Sequence, residues 1–178
     1  QEQKRHGRIA CDQFHRLMAA SAGHVRRLPG ARLGTAPHSL RAVAPAELSE
    51  LLAVYTDGPV HMHAAEQTAE VEECLAWSGR RPVDWLLENA RLDGRWCLIH
   101  CTHMTAEESA GLAASGAVAG LCPITEANLG DGIFEAPRYL DAGGRIAVGS
   151  DSNVRIALGE ELRTLEYGRR NVNPEEVG

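Results

Sequence analysis

The chain has 178 residues, of which 44% are apolar, 24% charged and 4% aromatic, with a formal net charge of −6. That is about the length of one domain, apolar enough to build a core and not charged enough to stay disordered. The acidic balance excludes a general nucleic-acid binder, and no apolar run approaches the ~20 residues that cross a bilayer. Five cysteines with neither a CxxC pair nor a regular framework fit a reducing, cytoplasmic setting and speak against a thiolate zinc site. The opening residues Gln1-Glu2-Gln3-Lys4 are polar and carry no signal or transit pattern; without an initiator Met, the chain is expected to be a piece of a longer protein.

Residues 11–27 place Phe14, Leu17, Met18 and Val25 at helical spacing, and Pro29-Gly30 ends that pattern. Residues 32–36 predict a short strand. Pro45-Ala46-Glu47 opens a helix with Leu48, Leu51 and Leu52 on one face, and Asp57-Gly58-Pro59 stops it before a strand at residues 60–63. A helix from Glu66 carries Val71, Cys74, Leu75 and Trp77, and residues 83–87 make a shorter one. Residues 95–100 predict a buried strand, Thr105-Ala106-Glu107-Glu108 a capping-box helix start, and residues 118–122 the next strand. A Gly-rich loop at residues 128–132 leads to a helix around residues 137–142. A fifth strand follows at 145–149, then a last helix at 160–169 and a polar, frayed tail at 171–178. Five strands, each followed by helix at βα spacing, make an α/β unit with a parallel sheet, and periodicity leaves open whether that sheet is doubly wound or part of a barrel.

Chemically active residue types fall at the carboxyl ends of these strands, the edge where α/β folds assemble their sites. His38 follows the first, His61 and His63 end the second, His100 ends the third, Cys122-Pro123 follows the fourth and Asp151 the fifth. His63 suits Zn²⁺ or another divalent first-row metal, with Asp151 an oxygen ligand from the opposite side. Glu66, at the turn into a helix, is placed to carry a proton between a bound water and a leaving amine, and His100 to polarise the attacked carbon or hold the hydroxide. His61 and His103 are set aside as packing or supporting residues. Arg41 offers a guanidinium fork matched to a carboxylate.

The motifs His63-Ala64-Ala65-Glu66-Gln67, Leu98-Ile99-His100-Cys101, Leu121-Cys122-Pro123 and Val148-Gly149-Ser150-Asp151-Ser152 resemble successive motifs of the amidohydrolase superfamily, in its aminohydrolase (deaminase) branch. Within that branch, Ala36-Pro37-His38-Ser39-Leu40-Arg41 and Thr125-Glu126-Ala127-Asn128-Leu129-Gly130-Asp131-Gly132 are similar to the formimidoylglutamate deiminase family. The resemblance implies a (β/α)8 TIM barrel, of which this chain is a single partial domain carrying about strands four to eight. It lacks the first strands and the small β-sandwich. The resemblance also implies roles: His63 as metal ligand, Glu66 as proton shuttle, His100 as catalytic histidine, and Asp151 as both metal ligand and catalytic aspartate. His38 and Arg41 would bind the glutamate part of a small-molecule substrate. The implied reaction is hydrolysis of N-formimino-L-glutamate to N-formyl-L-glutamate and ammonia. A ring-acting aminohydrolase of the same branch (guanine-, cytosine-, triazine- or adenosine-like substrates) is the alternative, and an inactive remnant is a second.

The chain departs from the family pattern in one respect. The His-x-His pair expected on the first barrel strand is missing, since His6, His15 and His24 stand nine residues apart. Zinc at a catalytic centre takes three protein ligands and a water, so the site in this chain is expected to be incompletely ligated. The chain alone is expected to bind zinc poorly and turn over little. Five strands of an eight-stranded barrel also leave open edges and an uncovered inner face, so self-association into a homo-oligomer is a further expectation.

Overall fold

A computed structural model describes residues 2–172, with side chains for residues 11–170. Helix α1 (Glu2–Val25) and helix α2 (Pro45–Val54) precede strand β1 (Val60–Ala64). Helices α3 (Thr68–Ser78) and α4 (Pro82–Asn89) lead to β2 (Trp96–His100), and α5 (Ala106–Ser115) leads to β3 (Val118–Leu121). Helices α6 (Pro123–Leu129) and α7 (Ala136–Asp141) lead to β4 (Arg145–Val148), which α8 (Leu158–Val172) follows. The start signals act as expected. Pro45 stands in the first turn of α2, and the Glu47 carboxylate accepts the Ala44 N–H at 3.0 Å. Thr105 and Glu108 form the reciprocal capping box of α5, which Gly116 ends in a left-handed turn (φ 79°).

The four strands pair in parallel in chain order, β1-β2-β3-β4. Each strand therefore adds on the same side of its predecessor. A doubly wound sheet reverses its order at a switch point, whereas a barrel winds one way. The two faces agree with a barrel arc. Val60, Met62, Ala64, Trp96, Leu98, Ala119 and Leu121 are buried with Val83 and Leu86 of α4 and Leu112 of α5 in one hydrophobic core. The alternate residues His61, His63, Cys97, Ile99, Arg145 and Ala147 stay partly or fully exposed on the opposite face. There the backbone of β3 lies close under its neighbours, because a Cβ on Gly120 would meet Cys97 Sγ and Ile99 Cδ1 at 2.8 Å each.

Several boundaries differ from the sequence reading. Residues 32–36 form no full strand, only a parallel bridge from Thr35 to Val60 on the free edge of β1. Thr35 O and His38 O still accept the His61 and His63 N–H groups at 2.9 Å each, but Pro37 between them has no N–H to give, so the ladder is broken. Helix α3 begins at Thr68 rather than Glu66, α1 extends further toward the N-terminus, and α6 occupies residues read as a turn and loop. Of the tail expected to fray, Asn171 and Val172 continue α8, and residues 173–178 lie outside the described residues.

Candidate active site

The side chains of His38, Arg41, His63, Glu66, His100 and Asp151 all line one cavity of about 570 Å³, together with Thr125, Asn128, Leu129 and residues 152–154. It lies at the carboxyl ends of the strands, and the local backbone explains how the side chains reach it. Ala65, His100, Cys101 and Asp151 are non-glycine residues with left-handed φ of 53°, 73°, 55° and 49°. Such conformations cost about 1–3 kcal/mol each and persist only where surrounding contacts hold them. The alternation of β2 assigns His100 to the same face as Trp96 and Leu98. The turn at His100 ends that alternation, and its ring stacks on His63 with centroids 5.5 Å apart.

His63 is fixed through His38. The His38 carbonyl accepts the His63 backbone N–H at 2.9 Å and the ring Nδ1 at 2.7 Å. A carbonyl only accepts, so Nδ1 carries the proton; in the neutral ring that leaves the lone pair on Nε2, the arrangement that orients metal-binding histidines. Glu66 is held by its backbone: the buried Glu70 carboxylate accepts the N–H of Ala65 at 3.2 Å and of Glu66 at 2.9 Å. The Glu66 side chain points both ways across the cavity, with Oε2 3.3 Å from Arg41 Nη2 and Oε1 3.6 Å from His100 Nε2.

His100 is buried, with its Nδ1 3.2 Å from Glu126 Oε1. Burial pulls its pKa down. The hydrogen bond to Glu126 and the charges of Glu66, Glu126 and Asp151 outweigh that and hold the pKa above the ordinary 6.5. His100, Cys122 and Glu126 bring one ligand-type atom each within 4.8 Å of one another. Burial followed by the Glu126 and Asp151 charges pushes the Cys122 thiol up to about 12, so it stays protonated and is a poor ligand. The Glu126 carboxylate is already engaged by His100 and by the Cys122 N–H at 2.9 Å, so the trio is a hydrogen-bonded network.

The residues present fit one side of a metal centre. His63 has an oriented Nε2, and Asp151 lines the same cavity as Glu66 and His100. Two protein ligands do not complete a catalytic zinc site. His61 is exposed on β1, and His103 Nε2 bonds the Asp131 carbonyl at 2.7 Å, so both stand apart from the cavity. Glu70 and Glu126 were missed in the sequence, and so was the pairing of Arg41 with Glu66. A glutamate in the first turn of a helix gives no sign of which loop it will bond.

The model of the amidohydrolase family matches residues 18–177. The chain belongs to the amidohydrolase family. This amidohydrolase chain is 58% identical over 142 residues to the formimidoylglutamate deiminase of Pseudomonas aeruginosa, covering 79% of the chain and 31% of that relative. Among solved structures, an amidohydrolase from Brucella melitensis superposes with a TM-score of 0.90 at 53% identity, covering 92% of this chain and 37% of that one. A zinc-bound adenosine deaminase from Xanthomonas campestris superposes with a TM-score of 0.84 at 26% identity, covering 92% and 38%. The amidohydrolase chain thus spans about a third of the length of the relatives it matches.

Proposed function

We propose that this chain carries the carboxyl-terminal part of the active site of a formimidoylglutamate deiminase. The convergence of His38, Arg41, His63, Glu66, His100 and Asp151 on one cavity carries the reading, supported by the 58% identity to the Pseudomonas aeruginosa enzyme. The reaction adds water across the formimino carbon of N-formimino-L-glutamate and breaks the bond to the terminal nitrogen, giving N-formyl-L-glutamate and ammonia. A divalent metal, zinc being the candidate, would be held by His63 Nε2 and Asp151 with ligands from outside this chain, and it supplies a water ionised near neutral pH.

The chain's own residues do the rest. Asp151 accepts one proton from the attacking water and returns it to the formimino nitrogen. Glu66 takes the other proton and delivers it to the same nitrogen, which then leaves as ammonia, a role its place beside His100 in the cavity allows. His100 faces the oxygen of the tetrahedral adduct and stabilises the charge that develops there. Arg41 and His38 bind the glutamate carboxylates in the same cavity. Arg41 now pairs with Glu66, so the substrate carboxylate competes for that guanidinium.

Among the described lining residues, the only rings are those of three histidines, which suits an acyclic acidic substrate better than a flat neutral base. The likeness to an adenosine deaminase favours the ring-acting alternative. Ammonia release by the full-length, metal-loaded protein separates the two: turnover of formiminoglutamate with none of adenosine, guanine or cytosine is expected, and the reverse preference overturns the proposal. The free thiols of Cys11, Cys74, Cys97, Cys101 and Cys122 support a reducing, cytoplasmic setting. Among the described residues, no helix is long and apolar enough to cross a membrane.

A further inference from the structure

We infer that Glu126 is a positioning residue for His100, fixing the imidazole with its proton on Nδ1 so that Nε2 is presented to the cavity. The inference rests on the proposed role of His100 in the reaction, but its claim about the ring can be measured without turnover. Glu126 and His100 are 3% and 1% exposed, and Glu126 Oε1 lies 3.2 Å from His100 Nδ1. The opposite tautomer would turn a bare Nδ1 lone pair toward a buried carboxylate oxygen 3.2 Å away, too close for a bridging water. Two acceptors facing each other in a dry site are strongly disfavoured. Hence the tautomer is set from behind the ring, by a residue that is not among those lining the cavity.

The same oxygen also accepts the Cys122 N–H at 2.9 Å. One buried carboxylate thus joins the end of β2, where His100 sits, to the turn that opens α6 after β3. On the cavity side, His100 Nε2 is 3.6 Å from Glu66 Oε1. The ring is therefore bracketed: Glu126 holds one nitrogen, and the other is left to face the substrate and the proton shuttle. A purely structural Glu126 would need only the Cys122 bond. The ring contact is what makes it a positioning residue for chemistry.

Long-range ¹H–¹⁵N NMR of the ¹⁵N-labelled protein reads the histidine tautomers, with a His100→Gln variant assigning the signal. The unsubstituted protein is expected to show His100 protonated at Nδ1. Glu126→Gln, whose amide oxygen still accepts that proton, is expected to keep this form, and Glu126→Ala to lose it. In the full-length enzyme, E126A is then expected to lower kcat about 10–100-fold with KM within a few-fold, while E126Q recovers most of the loss. A neutral His100 ring protonated at Nε2 and bare at Nδ1, read in the unsubstituted protein at a pH where the ring is uncharged, overturns the inference whether or not the variants fold. So does an unchanged Nδ1–H form in a folded, less stable E126A, which would leave Glu126 as a brace for the Cys122 turn. Should the full-length enzyme fail to hydrolyse formiminoglutamate while the Nδ1–H form depends on Glu126, the positioning of the ring is supported and the proposed activity is refuted.

Discussion

In the proposed reaction, Arg41 and Glu66 join substrate binding to proton transfer, because the guanidinium that would hold a substrate carboxylate lies 3.3 Å from the proposed shuttle. A charge-assisted hydrogen bond contributes about 1.5–3 kcal/mol. Arg41→Met should therefore raise KM for formiminoglutamate about 10–100-fold and change kcat much less, as steady-state kinetics of the full-length enzyme would show. An unchanged KM would remove Arg41 from the substrate site. His100 gives a second test. Its folded pKa is raised above 6.5, so the stability linked to its charged form is complete below that value and fades as pH rises through the folded pKa. The stability advantage of the native protein over His100→Gln in urea should shrink from pH 6 toward pH 8, and an advantage that grows over that range would contradict the bracketing by Glu66 and Glu126.

Buried glutamates from the following helices brace the loops at the carboxyl edge of the sheet. Glu70 of α3 holds the Ala65 and Glu66 N–H groups, Glu108 of α5 holds Thr105 N–H at 2.8 Å, and Glu126 of α6 holds Cys122 N–H. Glu161 of α8 reaches back to the Ile124 N–H at 2.9 Å. Each satisfies donors that a tight βα turn would otherwise leave unpaired in a dry place. Glu70→Ala strands two such donors and should cost about 2–4 kcal/mol in urea unfolding, with Glu70→Gln costing less. A loss below ~0.5 kcal/mol would mean the loop holds itself.

These braces also mark where the sequence stops being readable. The strands at β1 to β4 follow from apolar runs bounded by glycine, proline and polar residues, and the capping box of α5 is a local signal. Residues 32–36 look like a strand, yet Pro37 limits them to a few bonds on the edge of β1, and that depends on what lies beside them. Helix α6 is seven residues long and hidden between Cys122-Pro123 and a Gly-rich loop, too short for a periodicity to register. Of the cavity residues, His63 and His100 were legible from their places on strands, Glu66 and Asp151 from the turns that follow strands, and the roles of His38 and Arg41 from the family resemblance. Glu70 and Glu126 were not, because their partners lie across a loop or on another strand.

At the scale of the whole molecule, the sheet is covered on one face and open on the other. His61, His63, Cys97, Ile99, Arg145 and Ala147 stay accessible on the side that a closed barrel would fill with packed side chains. An open face favours association, as does the outer edge of β4, which pairs with no further strand among the described residues. The 178-residue chain on its own should sediment as concentration-dependent assemblies, and a monomer unchanged over a hundredfold range of concentration would show that the face is stable in water. With only His63 and Asp151 as proposed ligands, calorimetry of the same chain should detect no tight stoichiometric zinc binding, and a tight site would contradict the incomplete ligand set.

The most direct test labels the formimino carbon with ¹³C and follows it by NMR in the presence of the full-length, metal-loaded protein. The expected product is N-formyl-L-glutamate carrying the label, with one equivalent of ammonia released. Labelled formamide together with free glutamate would place the cleaved bond on the wrong side of that carbon, and an untouched substrate in a solution that consumes adenosine would assign the cavity to a different amine.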